Sequence, residues 1–221
     1  AMPLVLSLFN TLAKGINVLI LIWFTKILAK IVSRILPLKP GDDSFTLKHI
    51  KIGLLSTPDA SLFQAKQEIT LYAQNTFSMF KRMLQAFEMS KSDYEKEFDK
   101  LQLMEDESDQ VEVDIADYLT KVSESRLTTE NSQRVRAMFK IVSEIESVAD
   151  SILNVAKAIM RRNNQGVVFP ETLHTKLFHM FSLVENSIEM MCHNLTLEYK
   201  DVNPKKAYEI EQAINNYRTL L

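Results

Sequence analysis

Two stretches of this chain repeat apolar residues at alternating spacings of three and four. One runs Leu101, Met104, Ser108, Val111, Ile115, Tyr118 and Val122; the other runs Val135, Met138, Val142, Ile145, Ala149, Ile152, Ala156 and Ile159. That period fits an α-helix with one buried stripe, and two such stripes joined by a short break fit left-handed antiparallel bundle packing. Four Gly and six Pro in 221 residues leave few places to interrupt a helix. The expectation is an all-α protein.

The interruptions that do exist mark helix ends. "STPD" places Pro58 at a first helical position, and apolar spacing then continues to about Phe87. "SDYE" supplies a capping box, Ser92 with Glu95, for a second helix reaching about Ser125. "RLTTEN" breaks the chain next, so that Thr128 or Thr129 caps a third helix ending near Arg162. "NNQG" and Pro170 separate a fourth helix, which ends near Tyr199 at "KDVNP"; a fifth runs from Lys205 to Leu221 without a cap. That uncapped end, with Ala1 ahead of Met2, leads us to expect a fragment of a longer protein.

The head of the chain is different. The first 51 residues hold seven Lys or Arg against Asp42 and Asp43, so the net charge of -2 hides a basic head and an acidic body. Leu4 to Thr25 is long enough to span a bilayer, and "INVLILIWF" is apolar on every face. Trp23 followed by Lys26, Lys30 and Arg34 fits an interfacial anchor with a cytoplasmic flank. Lys14 favours two alternatives, an amphipathic helix on the membrane surface or a core helix, since a charge at mid-bilayer costs roughly 2.5–3.5 kcal/mol. The spanning reading puts the chain at the cell inner membrane, with everything after residue 37 cytoplasmic. The acidic body excludes nucleic acid as a partner. A single cysteine, Cys192, rules out an internal disulfide.

Beside the two seams lie two E-x-x-x-D pairs, Glu105 with Asp109 and Glu146 with Asp150. Each acid follows a seam residue by one position, so the pairs occupy equivalent places on their helices. In an antiparallel hairpin, Glu105 opposite Asp150 and Asp109 opposite Glu146 are both centred between Leu127 and Thr128, inside the expected turn. Four carboxylates should therefore meet at one level, about 30 Å from that turn. Such a cluster needs compensating charge, and a cation with oxygen ligands supplies it. Lys66 or Lys81 from the first body helix could neutralise it instead, and a hydrated surface patch is the third alternative. Asp106, Glu107, Glu112, Asp114 and Asp117 need be no more than solvated charge. "ETLH", Glu171 to His174, has the E-x-x-H spacing of carboxylate bundles but occurs once; His179 and His193 stand alone. No glycine-rich phosphate loop or nucleophile elbow is present, so catalysis is not expected.

"EDESDQVEVDIADYL" followed by "EIESVADSILNVAKAI" resembles the two signature helices of PhoU-type domains. "LSLFNTLAKGINVLILIWFTKILAKIVSRILPL" is similar to the last transmembrane helix of bacterial sodium/phosphate cotransporters, whose cytoplasmic tail is PhoU-like, and "LLSTPDASLFQAKQEI" to their junction. The resemblance implies a membrane-type helix at 1–37, a linker at 38–56, a PhoU-like antiparallel three-helix bundle at 57–163, and the start of a second repeat at 171–221, with Glu211 but Asn215 in place of an acid. It implies a regulatory or interaction role for a transporter core absent from this chain, and iron or zinc at Glu105, Asp109, Glu146 and Asp150. A homo-oligomer stays open. The alternatives are a metal-dependent carboxylate-bundle enzyme and a purely structural interaction module.

Overall fold

The computed structural model describes residues 57–220 together with Lys14, Leu47 and Ile50. The expected membrane helix at 1–37 and most of the linker at 38–56 lie outside the described residues. Among those that are described, no helix is long and apolar enough to cross a membrane.

Between residues 57 and 220, five α-helices follow one another: α1 (Pro58–Ala86), α2 (Lys91–Ser123), α3 (Thr129–Gln165), α4 (Glu171–Thr196) and α5 (Pro204–Arg218), with a 3-10 turn at Tyr199–Asp201 before the last. Helices α1, α2 and α3 pack pairwise into a three-helix bundle; α4 lies against α1, and α5 against α4. Both seams are buried as their spacing requires. Leu101, Val111, Ile115, Val142, Ile145, Ala149 and Ala156 lose nearly all solvent contact, while Met104 and Met138 pack half-buried against the core. α1 contributes Ile69, Tyr72, Ala73, Met79 and Met83 from its own apolar face.

The ends follow local chemistry, with some shifts from the sequence-based reading. Pro58 opens α1, where its missing N–H is no loss. The cap of α2 is Ser90, whose Oγ accepts from the Asp93 N–H; Ser92, expected to cap, is already inside the helix. Ser90 lies three residues before an acid just as Ser92 does, so the pattern alone admits both frames. Thr128 caps α3 through the Asn131 N–H, and Gly166 ends it in the left-handed conformation at φ 64°. That ending runs three residues past Arg162, because the Gly supplies the αL stop rather than the asparagines before it. α4 ends at Thr196, short of Tyr199. Lys66 of α1 donates to the Leu197 carbonyl at 2.6 Å, and Thr70 to that of Leu195. A cation on terminal carbonyls also suits the helix dipole.

Polar pins fix the bundle's alignment. Tyr94 donates to the Ala156 carbonyl at 2.8 Å, and Asn131 to Asp59 at 2.9 Å. Arg82 on α1 pairs with Glu97 on α2, which Lys100 joins at 3.0 Å; these cations hold the Glu97 carboxyl below the usual range. At the opposite end from the α2–α3 turn, Phe87 is ringed by Phe169, Phe178 and Phe181, with the Arg162 guanidinium 4.5 Å from its ring centroid. Here α4 docks on the bundle.

Ile145 is fully buried midway along α3. Ile145→Ala should destabilise the protein by about 2–5 kcal/mol in urea titrations, through lost transfer energy plus a residual cavity. The same truncation at Val168, which is 88 % exposed, should change it by less than about 0.5 kcal/mol.

Candidate functional site

The carboxylates sit on the flanks of α2 and α3 that face each other, each one position past a buried seam residue. Glu105 and Glu146 are half-buried, whereas Asp109 and Asp150 are exposed. The structure sets Glu105 beside Asp150 across the helix pair, close enough for each charge to act on the other, as their common centre at the turn requires. Burial, then the charge of Asp109, then the Asp150 carboxylate hold the Glu105 proton affinity above its ordinary value. Glu146 is raised likewise, by burial first and then by Glu112, Asp150 and Asp109, against the lowering contact of Ser147.

Glu112 corrects the sequence reading. Assigned to solvated charge, it is half-buried and acts on Glu146 more strongly than Asp109 does. It lies three residues beyond Asp109 on the same helical face, and its longer side chain extends farther. The interval of three was visible in the sequence; its reach was not.

Tyr72 is a second residue that the motif search passed over. From α1, its hydroxyl lies 2.9 Å from Ser108 Oγ, both groups being buried. Burial pushes the phenol far above its ordinary range, the Ser108 contact opposes this, and Glu112, Glu146 and Asp109 push it further. Ser108 is the one small polar residue of the α2 seam. The acidic level of the bundle thus rests on a buried hydroxyl pair.

Neither lysine expected to neutralise the cluster does so. Lys66 turns to the end of α4 and Glu198, and Lys81 sits 4.5 Å over the Phe77 ring. No ion pair among the described residues includes Glu105, Asp109, Glu112, Glu146 or Asp150. The donors are all carboxylate oxygens, which suit hard and borderline cations. They meet as pairs, however, and among the described residues no group of three or more His, Cys, Asp or Glu is disposed to hold a metal ion.

The weaker candidates lie elsewhere. His174 Nε2 is 2.8 Å from Glu88 Oε1 and its ring stacks on Phe178, at the aromatic end of the bundle. His179 meets the Tyr217 ring, Cys192 is buried with its thiol donating to the Ala73 carbonyl at 3.4 Å, and Glu211 and Asn215 are exposed on α5.

The described helices form a three-helix bundle with acidic motifs on two adjacent helices. Residues 69–159 match the PhoU domain, from Ile69 in α1 through α2 to Ile159 near the end of α3. The matched stretch, less than half of the chain, is similar to a PhoU domain. The match covers both carboxylate pairs but identifies no sodium/phosphate cotransporter. No curated protein and no solved structure matches the chain.

A carboxyl whose folded-state pKa is raised binds its proton more tightly in the folded than in the unfolded chain. Its contribution is therefore favourable at low pH and lost as pH rises from the ordinary value of 4.5 through the raised one. Glu105→Gln and Glu146→Gln should raise the thermal midpoint relative to wild type at pH 7 in the presence of chelator. That advantage should shrink towards pH 4, as followed by circular dichroism.

Proposed function

We propose that this chain is the regulatory part of a sodium-dependent phosphate transporter. In this reading residues 1–37 anchor it in the inner membrane, the helices after them lie in the cytoplasm, and the transporter core is supplied outside this chain. The observation that carries it is the PhoU domain with two matched, unneutralised carboxylate pairs on α2 and α3. The basic, apolar head supports the membrane part.

The carboxylates are the domain's cation site in this proposal: Glu105, Asp109, Glu146 and Asp150 would hold iron or zinc, with Glu112 beside them. A bound ion supplies the positive charge that the described lysines and arginines withhold. The protein's own part is mechanical. α2 and α3 approach at this level only against mutual repulsion of their acids, so neutralising the acids draws the two helices together. A change in helix spacing is what a regulatory bundle can transmit to a partner. α4 and α5 are the start of a second helical repeat that extends the surface for such a partner.

Deleting the residues after Pro40 in the full transporter should leave the membrane part in place and abolish the change in phosphate uptake that follows a shift in phosphate supply. Uptake and response both unchanged by the deletion would remove the regulatory role.

A further inference from the structure

On the other flank of α2, facing α1, the same level of the bundle carries a cavity of about 270 Å³. Its origin is legible in the packing. α1 and α2 run antiparallel with Tyr72 opposite Ser108. Where a bundle core would ordinarily place branched apolar side chains, the two helices instead present Ser108 and Thr76, both buried. Small polar residues at such positions forgo packing and leave space that larger ones would fill. Of the buried polar residues on α1 and α2, which also include Ser61, Glu68 and Glu97, only Ser108 and Thr76 line this cavity.

The lining has a definite chemistry. The Tyr72 and Ser108 hydroxyls form the floor, Met79 and Met104 give thioether walls, and Asn75 and the half-buried Glu107 stand at the side. Tyr72 and Ser108 share one hydrogen bond in which either can be donor, so one of the two O–H groups retains a proton to offer or a lone pair to receive with. Glu107 is the only charged residue in the lining, and no Lys or Arg contributes to it. Behind the floor, Glu112, Glu146 and Asp109 act on Tyr72. An anion such as phosphate is repelled from both sides. A cation with an apolar body is accommodated: its charge at Glu107, its N–H groups towards the hydroxyls and the Asn75 amide, its methylenes against the methionines.

We infer that the cleft between α1 and α2, with Glu107, Ser108, Tyr72 and Asn75 as polar contacts and Met79 and Met104 as walls, binds a small aliphatic ammonium ion. The site is independent of the cation proposed between α2 and α3, from which α2 itself separates it. Of the acids in "MEDESD", Glu107 alone turns towards α1, because it sits one position before Ser108 while Asp109 sits one after.

The experiment uses the purified full chain with 13C-methyl methionine, the Met79 and Met104 signals being assigned through Met79→Leu and Met104→Leu. Propylammonium chloride should shift both signals saturably, and 1-propanol, of nearly equal shape, should not. Glu107→Gln should weaken the binding by about 10-fold or more, as loss of a charge-assisted contact does. Ser108→Val should abolish it by filling the cavity; should that variant not fold, Glu107→Gln decides alone. Glu144→Gln, at an exposed acid of α3 outside both sites, should leave the shifts unchanged. Absence of a saturable shift, equal effects of the ammonium and the alcohol, indifference to Glu107→Gln, or loss in Glu144→Gln would each overturn the assignment.

Discussion

Everything distinctive in this bundle depends on one constraint: α2 and α3 face each other with like charges at the same height. The seams fix that height. Buried residues one step before each acid leave the helices no freedom to slide, since a shift would expose Ile115, Val142 or Ile145. The hydrophobic core thus enforces a contact that electrostatics alone would refuse. Burial first, and then the charge of Asp109 on Glu105 and of Glu112 on Glu146, raise the proton affinities of both glutamates.

Much of this was legible in the chain. Spacings of three and four placed the buried faces of α2 and α3, and the turn at Leu127 and Thr128 set their register, so the cross-pairing of Glu105 with Asp150 followed before any coordinates. What escaped was whatever depends on side-chain reach and on a third helix. Glu112 looked like one more acid in a charged run because its role comes from a long side chain crossing to α3. Tyr72 carries no motif at all; only packing of α1 onto α2 puts its hydroxyl on Ser108. The cap of α2 was misplaced by two residues because "SKSDYE" contains two overlapping serine frames, and tertiary context selects Ser90.

The destinations of the cations complete the picture. Lys66 caps α4, Arg82 and Lys100 hold Glu97, Lys81 covers Phe77, and Arg162 braces the aromatic cluster at Phe87. Each of these does a structural task away from the α2–α3 acids. None of these cations is paired with the acids that α2 and α3 bring together, and the proposed cation site rests on that distribution.

The most direct measurement is metal analysis of the full chain after exposure to iron and to zinc, with thermal denaturation run on the same samples. Wild type should retain metal and gain stability on loading, whereas a variant with Glu105, Asp109, Glu146 and Asp150 all changed to Ala should do neither. Equal metal content and equal shifts in the two proteins would contradict the account.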